Sequence, residues 1–399
     1  MCGSLAPGRD GVGDYTRRLA GELIRQGQST IVIALNDSHI SSTVLETQEA
    51  EGTSVSVMRL PSVAAWSKRV IECRDWLDHF KADWMSLQFV PFGFHPKGLP
   101  FGLGRRLAAM NASASWHVMF HELWLGLGEK APFKHHVLGA LQRLIVMDFM
   151  DRLRPRIVHT QSDPYLVVLK REKIMASILP LFSNIPHVQS DGWDGILEPL
   201  VTEALGKHHD RSELYLAGVL GMVAPEWNAE RAVNTLLPLA TRFQKRLVVV
   251  FHGISNMTPE RAEGLKLELR HRADIVVTGE RSSKEISRIL QTLDIGIATT
   301  PRQVIQKSGS VAAMLEHGLK VLVIRDDWHL RGAYAPSDQK SSQLLSPSEF
   351  ALLKTLPVRS VQPSGENTVK RVAMRLLAEM SSSLKTTSSF MEASGVLES

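Results

Sequence analysis

The sequence has few of the residues and patterns that mark several common protein classes. It contains only two cysteines, Cys2 and Cys73, in 399 residues, which excludes a disulfide-based fold and a zinc site built on cysteine. No apolar run reaches the roughly 18 residues that span a membrane, and the first residues lack the basic and apolar regions of a signal peptide. The sequence therefore predicts a protein of the reducing cytoplasm.

The charge and composition narrow the possible partners. A net charge of +5 is mildly basic and compatible with anionic substrates or anionic lipid, but it is diffuse, and no nucleic-acid-binding motif accompanies it. His208 and His209 are adjacent without a set of carboxylates or cysteines around them, so no metal site is predicted. A hydrophobic content of 44% and a charged content of 22% are typical of a globular protein with a large core.

One stretch, residues 293–328, combines apolar segments with a polar loop. Its pattern predicts three elements: a strand over 294–299, a helix over 310–316 and a strand over 319–324. The loop before the helix is basic and polar, with Lys307, Ser308, Gly309 and Ser310. Because a helix N-terminus offers unpaired N–H groups and a positive dipole end, this loop is a candidate diphosphate site. An ordinary strand-to-helix turn with a serine N-cap fits the same residues.

A glycine-containing loop near the N-terminus precedes a predicted helix and a strand over residues 29–35. Gly11 and Gly13 lie in this loop, but a dinucleotide fingerprint needs a third glycine at position 16, which is Thr16. The strand that normally precedes such a loop is missing or is reduced to residues 1–4. Since that strand is central in a doubly wound sheet, we expect an apolar strand to precede Met1.

His121 directly follows a predicted strand over residues 115–120. The carboxyl end of a strand in an open α/β sheet is where ligands bind. The position therefore favours a polar contact with a ligand or a proton-handling role. A histidine that only caps the loop is the alternative.

Strands and helices alternate along the chain, which predicts an α/β fold of two or three domains with parallel sheets. We expect two Rossmann-like βαβ domains that face a deep cleft, with a C-terminal helix that returns to the first domain. The predicted parts are a first domain over 1–186, a linker over 187–212, a second domain over 213–362 that begins with a strand over 214–220, a helix over 363–380 and a disordered tail over 381–399.

The order of several motifs resembles that of the retaining GT-B glycosyltransferases, the large group that includes glycogen synthase-like enzymes. The matching segments are GVGDYTRRLA, LQFVPFGF, VMFHELW, VHTQSD, LFSNIP and IATTPRQVIQKSGSVAAMLEHGLKVLV. They span nearly the whole chain in the family's order. The resemblance implies transfer of a sugar from a nucleotide donor, bound mainly by the second domain, to a polysaccharide, glycan or glycolipid acceptor, bound mainly by the first.

The resemblance also implies roles for individual residues. Gly11 and Gly13 would approach the donor phosphates, and His121 would lie near the transferred sugar. The residues expected to meet the diphosphate are Lys307, Ser308, Gly309 and Ser310. Such enzymes need no metal, and the sequence contains no Asp-x-Asp motif. No cofactor is expected beyond a donor of the UDP or GDP type.

The sequence departs from this family at its charged positions. The family usually has two glutamates in this region. In this sequence Gln306 and Lys307 stand near the position of the first glutamate, and Ala313 or Met314 stands at the position of the second. Glu316, about one turn later, is the candidate substitute. The family's Arg and Lys in the first loop of the second domain are also absent, so Lys307 and Arg302 are expected to supply positive charge.

Three functions fit these observations. The first is a cytoplasmic glycosyltransferase. The basic residues that follow a helix over 134–151 are compatible with peripheral contact to the inner face of the membrane, although a solvated charge run beside a core helix fits them better. The second is a non-catalytic GT-B protein that binds a sugar nucleotide or a protein partner, which the absent glutamates and first strand favour. The third is a sugar-nucleotide epimerase, which needs no acceptor.

Overall fold

The computed structural model describes residues 1–110, 113–188, 193, 195–253, 256–334, 342–359 and 368–395. The chain divides into two compact units. The first comprises Met1–Pro180, Leu330–Tyr334 and Val369–Ser399, and the second comprises Leu181–His329 and Ala335–Thr368. Both units have an α/β architecture in which helices follow strands.

In the described part of the chain, the first unit contains seven strands and seven helices. Its strands are β1 (Ile31–Asp37), β2 (Val44–Ala50), β3 (Thr53–Pro61), β4 (Trp84–Phe89), β5 (Ser115–Phe120), β6 (Ile157–Thr160) and β7 (Ser177–Ile178). Its helices are α1 (Gly11–Arg25), α2 (Trp66–Phe80), α3 (Pro91–Phe94), α4 (Leu103–Ala108), α5 (Phe133–Leu153), α6 (Asp163–Arg171) and, near the C-terminus of the chain, α13 (Val369–Gly395).

Residues 1–3 take the place of a central strand in the first unit. The Cys2 N–H donates to Ile33 O at 2.9 Å on the β1 side, and the Gln88 N–H donates to Met1 O at 2.8 Å on the β4 side. These residues therefore connect the sheet β1-β3-β2 to the parallel sheet β4-β5-β6-β7. The expectation that an apolar strand precedes Met1 stays a prediction.

The strands β4, β5 and β6 carry unlike side chains on their two faces. One face is apolar, with Phe89 and Phe120 packed against Phe149 of α5 at centroid distances of 4.9 and 6.0 Å. The other face carries several polar side chains, among them His117 and His159, both fully buried. Buried parallel strands are usually apolar on both faces, so the polar face is an unusual feature of this unit.

The second unit contains one larger sheet. Its strands are β8 (Leu214–Leu220), β9 (Arg246–His252), β10 (Asp274–Val277), β11 (Ile295–Ala298), β12 (Val321–Val323) and β13 (Leu344–Leu345). Its helices are α7 (Leu197–Leu205), α8 (Ala229–Arg242), α9 (Pro259–Leu269), α10 (Ser283–Thr292), α11 (Gly309–Glu316) and α12 (Pro347–Ala351).

The strand order of this sheet places a switch point at its centre. The order is β10-β9-β8-β11-β12-β13, and neighbouring strands pair in parallel. The chain thus starts at β8, moves outward through β9 and β10, and returns to place β11 on the other side of β8. Ligands of open α/β sheets bind at the carboxyl ends of the strands at such a reversal.

Apolar residues cover both faces of this second sheet. Helix α11 packs so closely on β11 that a Cβ at Gly296 would lie 2.4 Å from the sulfur of Met314. Ala313 and Met314 are buried at 0% and 1% exposure. The positions that align with the family's second glutamate therefore belong to the core.

Three boundaries differ from the sequence predictions. The predicted linker over 187–212 contains α7, whose Leu197 and Val201 are buried in the core of the second unit, so the prediction of a linker is wrong there. The first unit ends its N-terminal segment at Pro180, and the second begins at Leu181, whereas the predicted first domain extended to residue 186. The C-terminal helix runs over Val369–Gly395, beyond the predicted end at 380, so disorder over 381–395 is wrong. Residues 396–399 lie outside the described residues.

Candidate functional site

His121 is held between two glutamine side chains in the first unit. Its N–H donates to Phe89 O at 3.1 Å, which fixes the residue just past β5. Its ring nitrogens lie 2.9 Å from Gln88 Oε1 and 2.9 Å from Gln161 Nε2. The ring of Tyr15, from α1, packs edge-on against it at a centroid distance of 4.7 Å.

With the two amides oriented as they are in the structure, these contacts correspond to one neutral form of His121. Because the Gln161 amide N–H donates to Nδ1 and Gln88 Oε1 accepts, the ring proton lies on Nε2. Burial lowers the pKa of His121 to about 3. A general acid or base works best with a pKa near the working pH. The geometry therefore favours a neutral hydrogen-bonding or positioning role over proton transfer.

The two glycines near the start of α1 lie in different surroundings. A Cβ at Gly13 would lie 2.4 Å from Ser4 O, so glycine permits the helix to approach the backbone that precedes it. Asp10 caps the helix by accepting from the Gly13 N–H at 2.7 Å. Gly13 therefore has a packing role, whereas Gly11 is exposed at the helix N-terminus.

At the switch point of the second unit, hydroxyl groups connect the loops after β8 and β11. Thr299 Oγ1 donates to Met222 O at 3.0 Å, which joins the two loops. Thr300 Oγ1 then donates to Ser308 Oγ at 3.0 Å, and Ser308 Oγ lies 3.1 Å from Ser310 Oγ. Ser308 is also the N-cap of α11. The sequence-predicted residues 307–310 thus meet at the start of this helix.

The space around Gly309 is open. A Cβ at this residue would meet no atom within 4 Å, and Gly309 is exposed. Lys307 ends the 3-10 segment Arg302–Lys307 directly before it. The first N–H groups of a helix have no partner within the helix, so this N-terminus offers N–H donors and hydroxyls to an anionic ligand such as a diphosphate.

Two other predicted residues have partners of their own. Arg302 pairs with Glu349 at 3.3 Å. Glu316 lies at the last position of α11, where its carboxylate accepts from the Ser183 N–H at 2.5 Å. The structure does not bring Glu316 to the start of the helix, because the eight residues of α11 span roughly 12 Å. Its role as a substitute for the family's glutamate is therefore not supported.

One cation at the switch point was not selected from the sequence. Arg325 follows β12, and its guanidinium donates to Thr299 O at 3.0 Å. It also pairs with Asp327 at 2.6 Å and with Glu226, in the loop after β8, at 3.5 Å. A charged residue placed immediately after a predicted strand was the available signal.

The glutamines that hold His121 were also missed. Gln88 lies in a predicted strand, and Gln161 directly follows one. The signal was a polar residue at every second position of two short strands, as in Ser86 and Gln88 or His159 and Gln161.

His252 ends β9 in the second unit and contrasts with His121. It is fully buried, and neither ring nitrogen has a hydrogen-bond partner among the described residues. Burial lowers its pKa to about 3. It therefore resembles His121 in burial and pKa but not in partners.

Two further searches concern metals and membranes. Within the described ranges, no group of three or more His, Cys, Asp or Glu residues is arranged to hold a metal ion. In the same part of the chain, every helix is too short or too polar to cross a bilayer.

Comparisons with known proteins show similarity in structure. No protein-family model and no curated protein matches the chain in sequence. A Listeria monocytogenes protein assigned as a UDP-N-acetylglucosamine 2-epimerase is similar with a TM-score of 0.54 and 14% identity over 94% of each chain. The α,α-trehalose 6-phosphate synthase of Burkholderia multivorans has a TM-score of 0.54 and 10% identity, over 94% of this chain and 97% of that one.

A third structure is that of a trehalose-6-phosphate protein from E. coli bound with UDP-2-fluoro glucose. It has a TM-score of 0.52 and 9% identity, over 94% of this chain and 96% of that one. The chain has the GT-B fold. The predicted fold class is confirmed, including the C-terminal helix, which lies in the first unit as expected. At identities this low, the structural similarity establishes the fold alone. The activity of this GT-B chain has to be argued from its sites.

Proposed function

We propose that this GT-B chain binds a nucleotide sugar and transfers its glycosyl group, with retention and without a metal ion, to a glycan or glycolipid acceptor. The start of α11 carries the proposal, because the Ser308 and Ser310 hydroxyls flank Gly309, where the space is open, and Lys307 directly precedes them in sequence. The leaving group of the reaction is a nucleoside diphosphate. Groups placed to stabilise its developing charge are the main means of catalysis.

The chemical class of the donor has support from the fold comparison. A protein of the same fold is bound with UDP-2-fluoro glucose, which is a nucleotide sugar with a diphosphate. The start of α11 lies at the carboxyl ends of β11 and β8, where doubly wound sheets bind phosphates. We infer that Ser308, Gly309 and Ser310 donate to the diphosphate and that Lys307 balances its charge.

The first unit is proposed to hold the transferred sugar. His121 and its two glutamines form a neutral, hydrogen-bonded group just past β5. Neutral donors and acceptors suit the hydroxyl groups of a sugar better than ionised ones, because they need no compensating charge.

The test of the diphosphate site is the substitution Lys307→Ala. A charge-assisted hydrogen bond contributes about 1.5–3 kcal/mol, so we expect UDP or GDP to bind roughly ten- to a hundredfold more weakly. Uridine or guanosine, which have no phosphate, should lose much less affinity. Calorimetric titration of the four ligands measures the difference.

The matched control is Lys320→Ala, which removes the same charge just before β12. Lys320 lies at the amino ends of the strands, whereas the candidate site lies at their carboxyl ends. This variant should bind all four ligands as the parent does. Equal weakening of nucleotide and nucleoside by Lys307→Ala, or weakening of neither, would place the diphosphate elsewhere and remove the main support for the proposal.

An epimerase is the second candidate, because the Listeria monocytogenes protein assigned to that activity is as similar by TM-score as the synthase. The two reactions differ in their need for an acceptor. Nucleotide release that depends on an added acceptor selects the transferase, and isomerisation of the donor without an acceptor selects the epimerase. Binding without either reaction selects the non-catalytic alternative, which the burial of Ala313 and Met314 favours.

A further inference from the structure

A continuous chain of hydrogen bonds runs from the His121 site to helix α13. Six consecutive bonds of 2.7–3.0 Å link seven side chains: Gln161, His121, Gln88, Ser86, His117, His159 and Glu379. All of them belong to the first unit. The proposed function uses only the first three, and the buried histidines beyond them need a separate explanation.

The strand registers bring these side chains together. Ser86 of β4 is directly opposite His117 of β5, and His159 of β6 is opposite Met119 of β5. Alternate residues of a strand point to the same face, so one polar face forms across three neighbouring strands. Helix α13 contributes Glu379, which lies 220 residues from its partner His159 in sequence.

In this hydrogen-bond chain, each side chain donates to the next one in the direction from Gln161 to Glu379. The Gln88 amide N–H donates to Ser86 Oγ at 2.7 Å, so the Ser86 hydroxyl is left to donate to His117 Nδ1 at 2.8 Å. A neutral histidine that accepts at Nδ1 donates from Nε2. His117 therefore donates to His159, and His159 donates to the Glu379 carboxylate at 2.7 Å.

The two ends of the hydrogen-bond chain differ in whether they can donate or accept. An ionised carboxylate can only accept, and Arg375 donates to the second oxygen of Glu379 at 3.0 Å, which holds the group in place. At the other end, Gln161 Nε2 donates to His121. No hydrogen bond from the described residues reaches Gln161 Oε1, so this oxygen can accept from a ligand.

The members between these ends could also be ordered in reverse. A hydroxyl, a neutral imidazole and an amide can each donate and accept, and an amide exchanges the two roles by turning over. In the reversed order, His121 would carry its proton on Nδ1, and Gln161 would turn its NH₂ group toward the ligand. Only the carboxylate at Glu379 distinguishes the two directions.

We propose that Glu379 is a positioning residue that selects one direction of this chain and thereby presents Gln161 Oε1 as an acceptor for a hydroxyl group of the bound ligand. The identity of that ligand as a sugar rests on the proposed function. The direction of the hydrogen-bond chain does not rest on the proposed function, because it is a property of the protein without a ligand.

The charges around the chain are consistent with neutral histidines. Burial is the main cause that lowers the pKa of His117, His121 and His159, and neutral rings are the ones that can both donate and accept. Among the described residues, the cations that face the hydrogen-bond chain are Arg375, on Glu379, and the Met1 ammonium, which donates to Ser86 O at 2.7 Å. Burial lowers the pKa of that ammonium as well.

The test replaces Glu379, which can only accept hydrogen bonds, by residues that can donate, and it measures the tautomers of the three histidines. In protein labelled with ¹⁵N-histidine, long-range ¹H–¹⁵N correlation spectra report which ring nitrogen carries the proton. The parent should show Nε2–H at His117, His121 and His159. Glu379→Lys, a donor-only end, should shift all three rings to Nδ1–H, Glu379→Gln should give a mixture, and Glu379→Asp should retain the parent pattern.

The control is Glu172→Gln, which removes a carboxylate paired with Arg143 on the surface of the same unit and should leave every tautomer unchanged. His121 signals are assigned by their loss in His121→Asn. If His121 keeps its Nε2–H form in both Glu379→Lys and Glu379→Gln while circular dichroism shows the parent helix content, the proposal is wrong. Because no ligand is added, this result is independent of whether the chain transfers sugars.

Discussion

The two units each place a buried histidine at the carboxyl end of a sheet strand, and the two histidines have opposite surroundings. His121 has a glutamine on each ring nitrogen, whereas His252 has no partner among the described residues. Burial lowers the pKa of both to about 3. The shared shift shows that a perturbed pKa reports burial here, and that the hydrogen-bond partners are what distinguish a candidate site from a core position.

The difference extends to the sheets that carry the two residues. In the first unit, one face of β4, β5 and β6 carries Ser86, Gln88, His117 and His159, which hydrogen-bond to one another or to neighbouring polar groups. In the second unit, apolar clusters cover both faces, and the polar groups gather at the start of α11. The first arrangement suits recognition of neutral hydroxyls, and the second suits recognition of a charged phosphate.

The largest effect expected from this comparison is on turnover. Losing the correct position of a bound substrate can lower the rate by roughly 10²-fold, and we expect His121→Ala to do so with a donor and acceptor that the parent protein uses. His252→Leu should retain the parent rate, since its ring contacts no candidate ligand group. Nucleotide release, normalised to the folded fraction, is the measurement. Equal rates for both variants would remove His121 from the site.

The next effect concerns acid. Both histidines have a folded-state pKa of about 3, below the unfolded value of 6.5, so the unfolded chain binds more protons between these limits. Their contribution to stability is present above pH 6.5 and is lost as the pH falls toward 3, by about 1.4 kcal/mol per pH unit for each histidine. Urea unfolding of the parent and of His252→Leu at pH 7 and pH 5 measures this loss.

In that experiment, His252→Leu should lose about 2 kcal/mol less than the parent between the two pH values, because one of the two histidines is gone. If the two proteins lose the same free energy of unfolding, then His252 takes up a proton in the folded state and its pKa is not lowered as burial requires.

The smallest effect is the change in stability at neutral pH. His252→Leu removes a buried polar group without a partner and should change the free energy of unfolding by less than about 1 kcal/mol, in either direction. His121→Leu leaves Gln88 and Gln161 without their ring contacts and should cost about 1–3 kcal/mol. Unfolding curves at pH 7 compare the two. A larger loss for His252→Leu would reverse the comparison and indicate a ligand or water on that ring.

Much of the fold follows from local patterns in the sequence. The strands predicted over 115–120 and 214–220 coincide with β5 and β8, because buried strands are short apolar runs bounded by polar residues. The start of α11 was predictable from Ser308 and Gly309, because capping depends on neighbouring residues. Strand β2 was missed, since its sequence VLETQEA is largely polar and exposed.

The sequence by itself determined the alternation of strands and helices and the polar loop at residues 307–310, since each depends on residues close together in the chain. It also determined the GT-B resemblance, since that depends on the order of motifs along the chain. Only the tertiary structure decided that residues 1–3 serve as a strand, that Glu316 binds the Ser183 backbone and that His159 meets Glu379. These contacts join segments that are distant in sequence, and they are set by strand register and helix packing, which local periodicity does not encode.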